Sequence, residues 1–288
     1  MCYWQGCKVT RGEYIRLMAI EKEVKNLRLN RPVQNGFDYR DWPVIKPIAG
    51  KKDFEIKEVH WEYIPQNIFT IQQLQQARVS RTLLNARSEN LFVNEKGKIS
   101  AYRDGAEHGR CLVISSYFFE RRHLAKIGKI GKYKGKQLKS TEPIPYCITL
   151  KDKPEYYFMA GVLREWENVE RQQSADTFAI VTTKANALME KIHNKKLLTN
   201  PLEDPDPRMP TILPEDLAYE WLFGDLDKKR IMEIASYQYP AEEMIAWPIA
   251  KNFDRINGFY NLSIPCAGGV RSCIQSMERH CNVHHFCI

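Results

Sequence analysis

The sequence predicts an α+β fold in which short strands form the core and helices flank it. Several runs rich in aromatic and β-branched residues have the length and composition of strands. They are interspersed with stretches in which apolar residues recur at helical spacing. The chain has 288 residues, of which 43% are hydrophobic, so it can bury a substantial core. This length suits one large domain or two small ones.

Helical spacing occurs in five stretches, at 13–28, 68–84, 184–193, 214–224 and 226–236. The first of them places one set of apolar residues roughly on a single face: Tyr14, Leu17, Met18, Val24 and Leu27. The fourth stretch is marked by its ends, because Pro214 suits the start of a helix and Gly224 its stop. We therefore expect helices in all five stretches.

Strands are predicted at 54–64, 111–120, 145–150, 156–162, 177–183 and 244–249. The stretch 30–52 is rich in Pro, Gly and aromatic residues, and it predicts an ordered loop. The stretch 126–139 is rich in Gly and Lys. It predicts a flexible hairpin, whose lysines either touch phosphates or simply face water.

The charge balance favours a polyanionic partner. The formal net charge is +8 and the pI about 9.0, which fits either nucleic-acid binding or a basic, well-solvated surface. No apolar run is long enough to span a membrane, and the start lacks a signal-peptide core, so we expect a cytoplasmic protein. Eight cysteines stand at irregular spacings without a CxxC pair, which predicts mostly buried thiols rather than disulfides.

The first two residues, Met1 and Cys2, are the candidate reactive centre. If Met1 is removed, Cys2 presents an α-amine and a thiol on adjacent carbons. The amine can condense with an aldehyde to an imine, and the thiol can then close a five-membered thiazolidine ring. Both groups are poised close to neutral pH, since an α-amine titrates near ~8 and a free thiol near ~8.5. A Met-Cys start is by itself a weak signal.

Three further positions carry polar groups next to apolar elements. Asn85 and Arg87 follow the predicted helix 68–84, where they either form an ordinary helix terminus or supply an orienting amide and a planar phosphate-binding fork. Glu120 ends the apolar run 111–120, where a carboxylate either faces water or exchanges protons near neutral pH. His193 arrives at a helix C-terminus, a place where histidine is usually a cap or a surface residue.

These signals, taken in order, resemble the SOS-response-associated peptidase (SRAP) family. The resemblance covers roughly residues 1 to 255 and rests on segments that follow the family's order: Met1-Cys2, Trp61-Glu-Tyr-Ile-Pro65, Asn85-Ala-Arg-Ser-Glu89, Arg110-Cys-Leu-Val with Glu120, Tyr157-Phe-Met-Ala-Gly161, Phe178-Ala-Ile-Val-Thr-Thr-Lys-Ala-Asn186, Ile192-His193 and Arg208-Met-Pro-Thr-Ile-Leu213. It implies a single domain, 1–257, with a mostly antiparallel, β-barrel-like core and flanking helices, followed by a poorly ordered tail, 258–288.

The resemblance also implies a function. Family members sense abasic sites in single-stranded DNA, and their N-terminal Cys links covalently to the opened deoxyribose as a thiazolidine, which hydrolysis can reverse. Cys2 would thus be the nucleophile of an enzyme classed as a peptidase, hydrolase or lyase, without metal or cofactor. The protein would be a nucleoid-associated monomer.

By the same resemblance, individual residues take roles. Asn85 would orient the Cys2 amine and the opened sugar, and Glu120 would act as the acid and base. His193 would assist sugar opening and adduct reversal, while Arg87 would hold a flanking phosphate. Arg208 would also contact the DNA.

The sequence departs from the family pattern at three places. Many members follow Cys with Gly-Arg, whereas this chain has Tyr3-Trp4, and we expect Trp4 to stack on a base instead. Glu62 stands where many members have Gly. Residues 195–207 separate His193 from Arg208, although many members have the histidine directly before Arg-Met-Pro. A loop insertion has a small closure entropy, so His193 can stay in place.

Two alternative functions remain open. One is a Cys-dependent peptidase that cleaves its own Met1, and the other is a non-catalytic module that binds single-stranded DNA. The tail holds four cysteines and three histidines, but their spacing fits no common zinc motif, and we expect no metal site. These tail residues are Cys266, Cys273, His280, Cys281, His284, His285 and Cys287.

Overall fold

The computed structural model describes residues 3–9, 14–24, 27, 29–129, 134–152, 154–195 and 206–255. Met1, Cys2 and the tail 258–288 lie outside the described residues, so the predicted nucleophile and the Cys/His-rich segment have no structural account here. The strands and helices below all lie within the described residues.

The described strands are β1 (Trp4–Lys8), β2 (Tyr14–Leu17), β3 (Ile20–Glu23), β4 (Asn30–Asn35), β5 (Asp41–Pro47), β6 (Phe54–Trp61), β7 (Asn85–Arg87), β8 (Arg110–Ser115), β9 (Tyr117–Ile127), β10 (Gln137–Leu150), β11 (Tyr157–Asn168), β12 (Gln173–Lys184), β13 (Arg208–Pro210), β14 (Ile212–Leu213) and β15 (Met244–Pro248). The described α-helices are α1 (Ile71–Ser80), α2 (Arg103–His108), α3 (Ala187–Ile192), α4 (Glu215–Phe223) and α5 (Lys228–Ala235). None of these helices combines the length and apolar character needed to cross a membrane.

A closed barrel forms the centre of the molecule. Its strands follow the order β12-β6-β5-β8-β11, and the pairing of β11 with β12 closes the ring. The pairs are antiparallel except for β6 with β12, which run parallel. The prediction of an α+β fold with a mostly antiparallel, barrel-like core is confirmed.

Tryptophans pack inside this barrel and tie it to the strand that carries the site. Trp61 stacks on Phe178 with the ring centroids 6.2 Å apart, and Trp42 lies 6.1 Å from Trp61. Both tryptophans are fully buried, so their indole N–H groups need partners inside the protein. Trp42 donates to the Ile114 carbonyl at 2.8 Å, and Trp61 donates to the Leu84 carbonyl at 3.1 Å. The Trp61 bond fixes the chain one residue before Asn85.

A second sheet receives the start of the chain. Its strand order is β15-β10-β9-β1-β4, so β1 lies between β9 and β4. Trp4 pairs with Phe119 of β9 and with Asn35 of β4. Gly6 allows this close pairing, because a Cβ at position 6 would lie 2.6 Å from the Pro32 carbonyl oxygen. The N-terminal strand therefore begins beside Phe119 and its neighbour Glu120.

The predicted helix over 13–28 is wrong. Its described residues form a hairpin of β2 and β3, with Met18 in the left-handed conformation at the turn. The burial alternates along β2, where Ile15 and Leu17 are buried while Tyr14 is 48% exposed. An alternation with period two is the signature of a strand, and the apparent helical face had combined exposed and buried residues.

The expected loop over 30–52 is also wrong, because it contains β4 and β5. Its prolines suggested a loop, but proline is tolerated where a strand needs no ladder donor. β5 pairs with β8 only through Val44 and Ile45, so Pro43 and Pro47 stand outside that pairing.

The predicted strand 111–120 divides into β8 and β9, which belong to different sheets. The chain turns at Ser115 and Ser116. Ser115 Oγ donates to Gln5 at 2.7 Å, and the Ser116 carbonyl accepts from Thr149 Oγ1 at 2.7 Å. Glu120 consequently lies within β9 rather than at the end of a strand.

The remaining elements follow the predictions, with different lengths. The helix expected over 68–84 extends only over α1, and the helix after Lys184 is α3. The last two expected helices are present as α4 and α5, and β6, β10, β11, β12 and β15 occupy the other predicted strands. β11 and β12 are longer than expected because their polar ends continue to pair beyond the barrel, as far as Asn168 with Gln173. β9 and β10 pair antiparallel on either side of the predicted hairpin 126–139, of which residues 130–133 lie outside the described part.

The position of Glu62 is explained by a partner on α1. Its carboxylate is 2% exposed and accepts hydrogen bonds from Arg78 at 2.5 to 3.1 Å. Burial alone would raise the pKa of Glu62, but the bonds from His60 and Arg78 hold that pKa below its ordinary value. The Arg78 guanidinium also lies 3.7 Å from the centroid of the Tyr39 ring. This pair anchors α1, whose C-terminus leads to β7.

Candidate functional site

β7 carries the first site residue, Asn85, and is fixed on both sides. It pairs parallel with β12, where Asn85 lies opposite Ile180 and Arg87 opposite Thr182. The Asn85 carbonyl accepts a hydrogen bond from Tyr102 Oη at 3.1 Å. The sequence prediction of a polar helix terminus here is wrong, because α1 ends at Ser80 and Asn85 opens a strand. A strand buried against the barrel holds Asn85 more rigidly than a helix end would.

The Asn85 side chain is enclosed and lacks partners. The residue is only 8% exposed, yet neither Oδ1 nor Nδ2 has a hydrogen-bond partner in the described part of the chain. A buried amide left unpaired costs about 1–3 kcal/mol. Most buried polar groups are paired in native proteins, so this amide indicates a place where another molecule or segment completes the bonding.

His193 caps α3 and is turned toward β13. The backbone N–H of Arg208 donates to His193 Nδ1 at 2.8 Å. Because Nδ1 accepts this bond, the neutral ring carries its proton on Nε2. Burial is the main cause that lowers the pKa of His193 to about 4, although the nearby Glu120 and Asp206 carboxylates act in the opposite direction. The imidazole is therefore neutral at pH 7.

The segment 195–207 leaves His193 beside Arg208. In addition to the bond at Nδ1, the Ala185 N–H donates to the Pro207 carbonyl at 2.9 Å, and Arg208 pairs with Lys184 across β12 and β13. The bond from the Arg208 N–H to His193 therefore joins the two ends of the insertion, and β12 holds its C-terminal end. Residues 196–205 themselves lie outside the described part.

Glu120 lies close enough to His193 to affect its titration. The corner after α3 is fastened to β9, because Asn194 Oδ1 accepts from the His123 N–H at 2.8 Å and Asn194 Nδ2 donates to the His123 carbonyl at 3.0 Å. Glu120 is half-buried, and one of its oxygens accepts from the Arg121 N–H at 2.8 Å. The sequence analysis did not identify Asn194, since an Asn after a helix is common and carries no specific signal.

Arg208 is buried and bonded inside the protein, and its contact with DNA stays a prediction. It is 2% exposed, and its guanidinium donates to both Glu89 oxygens at 2.8 and 2.7 Å and to the Thr182 carbonyl at 2.7 Å. Burial would raise the pKa of Glu89, but the Arg208 bonds keep that pKa below its ordinary value. Both terminal nitrogens of the guanidinium are engaged by these bonds, whereas its Nε has no partner within the described part of the chain.

Arg87 is more accessible. Its side chain is 32% exposed, and Nη1 lies 3.0 Å from both Glu95 Oε1 and Asp206 Oδ2. Asp206 also lies 3.4 Å from Arg208, so it links the exposed arginine to the buried one. Neither Glu95 nor Asp206 was predicted from the sequence, because no motif distinguishes them from other surface acids.

Trp4 packs inside the second sheet, and the prediction that it stacks on a base is not supported by its position. Its ring lies edge-on to Phe253 with the centroids 5.3 Å apart, over a buried cluster of Phe119, Cys147, Trp247 and Ile249. The neighbouring residue behaves differently. Tyr3 lies 4.7 Å from Phe37, whose ring is 43% exposed.

A polar cleft adjoins the site. It has a volume of about 590 Å³, and Tyr102, which bonds to the Asn85 carbonyl, forms part of its wall. Arg81 and Arg164 also line it, and neither makes an ion pair within the described ranges. The described residues contain no group of three or more His, Cys, Asp or Glu that could hold a metal ion.

The cysteines in the described part are unreactive. Cys7, Cys111 and Cys147 are free and buried. Burial raises the pKa of each thiol, to about 12 for Cys7. Since the thiolate is the nucleophile, these three side chains offer no competing reactive centre.

Comparison with known proteins identifies related chains. A family model described as SOS response associated peptidase (SRAP) matches residues 1–256. Two curated proteins of Bacillus subtilis (strain 168), named abasic site processing proteins YoqW and YobE, are 27% and 26% identical to the chain over 173 residues. The matched region is 60% of this chain and 62% and 64% of the relatives, so the chain spans less than two thirds of their length.

Solved structures share the fold. A crystal structure of a protein from Bacteroides thetaiotaomicron is similar with a TM-score of 0.60 and 26% identity, over 78% of this chain and 81% of that one. A protein from Bordetella bronchiseptica also has a TM-score of 0.60, at 16% identity, over 86% of this chain and 100% of that one. The second likeness concerns the fold alone.

Proposed function

This chain belongs to the SOS response associated peptidase (SRAP) family, and on that premise we propose that it captures abasic sites in single-stranded DNA through a covalent bond to Cys2. The observation that carries the proposal is the buried amide of Asn85, which has no partner among the described residues. The names of the two Bacillus relatives, which describe abasic site processing, support the same substrate.

The chemistry needs no cofactor and no electron transfer. After loss of Met1, the neutral α-amine of Cys2 adds to the aldehyde carbon of the ring-opened deoxyribose, and loss of one water gives an imine. The Cys2 sulfur then adds to the imine carbon while its proton passes to the nitrogen, which closes the thiazolidine ring. One water leaves overall, and its return reverses the link.

Asn85 is assigned to orientation. Its Oδ1 can accept from the α-amine, while Nδ2 can donate to a hydroxyl of the opened sugar. Because β7 is held by β12 and by Tyr102, the amide is rigid before the substrate arrives. A rigid orienting group avoids the entropy cost of arranging the reactants, which is a major source of rate enhancement.

The proton transfers are assigned to Glu120, with His193 as a hydrogen-bond donor. Nδ1 of His193 is occupied by the Arg208 N–H, so the ring would have to give up that bond to act as a base. Its Nε2–H can polarise the sugar oxygen during ring opening. Glu120 lies on β9 next to Phe119, which pairs with Trp4 at the start of the chain. A carboxyl group there can donate and accept the protons of imine formation.

Arg87 is assigned to a phosphate beside the lesion, and the polar cleft to the flanking nucleotides. Three arginines and two acids line the cleft, and Arg103 is paired with Glu107, so Arg81 and Arg164 are the side chains that we assign to the DNA backbone. We further propose that Phe37, rather than the packed Trp4, supplies the base-stacking surface, since its ring is 43% exposed beside Tyr3.

The decisive experiment mixes the purified protein with a single-stranded oligonucleotide that has one abasic site. A denaturing gel and intact mass spectrometry then detect any covalent product. We expect a shifted band whose protein mass lacks Met1, and Cys2→Ala should abolish the band. Cys147→Ala is the matched control, because it removes a buried thiol and should leave the band unchanged. Absence of the band despite confirmed loss of Met1 would overturn the proposal.

The family description also names a peptidase, which makes a Cys-dependent peptidase the second candidate. The two candidates differ in the group they need. A thiol peptidase requires the Cys2 sulfur but not a free α-amine, whereas the thiazolidine requires both. Acetylation of the α-amine, followed by hydroxylamine to restore the free thiol, should therefore stop DNA capture, while a peptidase activity would survive it. Salt-sensitive binding without any covalent product would instead indicate a non-catalytic single-strand binding module.

A further inference from the structure

The arginine assigned to the DNA backbone is already held by two carboxylates. Arg87 Nη1 lies 3.0 Å from Glu95 Oε1 and 3.0 Å from Asp206 Oδ2. The inference below rests on the proposed function, in which Arg87 meets a phosphate. A phosphate oxygen and a carboxylate oxygen use the same donors of a guanidinium, so the two kinds of group compete for this side chain.

The charges around Arg87 do not favour an anion as they stand. Arg87 and Arg208 supply the positive charges, while Glu89, Glu95 and Asp206 supply the negative ones. Both Glu89 oxygens accept from the Arg208 guanidinium, which leaves Arg87 facing Glu95 and Asp206. A phosphate that reached Arg87 with both acids in place would meet a net negative cluster. It must therefore displace at least one of them.

We propose that Asp206 and Glu95 are specificity-determining residues, which compete with the DNA backbone for Arg87 and so keep the affinity for undamaged single strands low. An intact strand gains only the phosphate contact, which is largely offset by the lost ion pairs. A strand with an abasic site gains the covalent bond to Cys2 as well, which the competition does not weaken. The carboxylates thus increase the difference between damaged and intact DNA.

Asp206 should be the stronger competitor of the two. Its side chain is 28% exposed and is held from a second side by Arg208 at 3.4 Å. Glu95 is 69% exposed, and among the described residues its carboxylate has, beyond Arg87, only the weaker contact with Asn90 at 3.3 Å. An exposed ion pair is screened by solvent and contributes little, so displacing Glu95 should be easy.

The competition should appear in the salt dependence of binding. Each phosphate that a cation neutralises releases a counterion, which steepens the plot of log affinity against log salt by ~0.7 for single strands. When the phosphate displaces a carboxylate, that carboxylate takes up a cation and cancels the release. Removing the carboxylate charge should therefore strengthen binding and also steepen the salt dependence.

The test measures binding of an undamaged single-stranded oligonucleotide to the full chain across a range of salt concentrations. We expect Asp206→Asn to bind about 3- to 10-fold more tightly than wild type and Glu95→Gln about 2- to 3-fold, with the salt slope of Asp206→Asn steeper by up to ~0.7. Glu220→Gln is the matched control. It also removes one carboxylate from an arginine ion pair, that of Arg230, but on α4 and α5 rather than at the site.

A double variant decides whether the effect passes through Arg87. In the Arg87→Met background, Asp206→Asn should no longer increase the affinity. The proposal is overturned if Asp206→Asn and Glu95→Gln bind no more tightly than Glu220→Gln, or if the gain persists without Arg87. Glu95 is exposed, so its variant keeps the test valid even if Asp206→Asn folds poorly. Failure of the proposed function itself would appear separately, as a wild-type protein that forms no covalent product with abasic DNA.

Discussion

Asn85 and Asn186 flank the same strand, β12, and are equally buried, at 8% and 9% exposure. Asn186 has a full set of partners, because Oδ1 accepts from the Met189 N–H at 3.0 Å and Nδ2 donates to the Tyr239 carbonyl at 2.6 Å. Asn85 has none within the described ranges. Asn186 is used by the fold as the N-cap of α3, whereas Asn85 is the one that we propose for the substrate.

The same contrast separates two other pairs of side chains. Arg208 is enclosed by Glu89 and Thr182, whereas the Arg87 side chain is 32% exposed and contacts Glu95 and Asp206. Trp4 packs on Phe253, whereas Phe37 exposes its ring. The two residues of each pair are of one chemical type, and burial with partners distinguishes the one that the fold uses from the one that we propose for DNA. The predictions below test that distinction.

The largest effect is expected at the two asparagines. Asn85→Ala should slow covalent capture of abasic DNA by about 100-fold or more, since a misplaced reactant costs a factor of that order. Its free energy of unfolding should stay equal or rise slightly, because an unpaired buried amide is removed. Asn186→Ala should lose about 1 kcal/mol of stability, as N-cap losses do, with little change in the rate. Urea denaturation and single-turnover gels measure both quantities, and equal effects of the two variants would contradict the comparison.

The arginines should separate in a similar way. Arg208→Met leaves the Glu89 carboxylate without its partner, and we expect a loss of about 2–4 kcal/mol, somewhat below that of a fully buried pair because Glu89 is partly exposed. Arg87→Met should change stability by less than about 1 kcal/mol but weaken DNA binding. Denaturation curves and binding titrations on the same preparations check this. A stable Arg208→Met variant with weakened DNA binding would place Arg208 in the DNA site after all.

A smaller effect is expected from the titration of His193. Its pKa in the folded protein is about 4, below the ordinary value of 6.5, mainly because of burial. Between these values the unfolded chain binds a proton that the folded chain does not, so stability should fall as the pH drops from about 6.5 toward 4 and stay level above that range. With partial solvent screening we expect a loss of about 1–2 kcal/mol.

His193→Asn provides the comparison for this titration, because its Oδ1 can replace Nδ1 as the acceptor for the Arg208 N–H. The variant should lack the additional decline between pH 6.5 and 4, measured as denaturation midpoints at several pH values. If wild type and variant decline in parallel over that interval, His193 is not held neutral by the fold.

Some of the architecture was readable from the sequence because its signals are local. The helices α4 and α5 were found from a proline, a glycine and helical spacing, and β10, β11 and β12 from dense β-branched and aromatic residues. The hairpin of β2 and β3 was missed because a few apolar residues fit the helical period and the strand period equally well. The strand becomes evident only from burial, which places Ile15 and Leu17 on one side.

The site was less accessible to sequence reasoning. Order along the chain identified Asn85, Arg87, Glu120 and His193 as candidates, yet their surroundings depend on contacts between distant segments. The Arg208 N–H on His193 and the acids on Arg87 join residues far apart in sequence. The bond between Arg208 and Glu89 joins residues that are 119 positions apart in the sequence. No spacing rule predicts such pairings.

The smallest effect is expected at the aromatic pair, where we propose Phe37 for the stacking role that the sequence suggested for Trp4. Phe37→Ala should weaken binding of single-stranded DNA by about 1 kcal/mol, at the low end for loss of one stacked base. Its stability should change little, because the ring is 43% exposed. Phe37→Trp should preserve or increase the affinity, since a larger ring offers more stacking surface, and this distinguishes stacking from a general disturbance.

Trp4→Ala should instead destabilise the second sheet, because the ring packs on Phe253 over a buried cluster. Fluorescence anisotropy with a labelled oligonucleotide, at a salt concentration where all variants are folded, measures the two affinities. If folded Trp4→Ala loses more DNA affinity than Phe37→Ala does, the stacking role belongs to Trp4. A half-buried ring in this sheet would then be accessible to the bases of the single-stranded DNA.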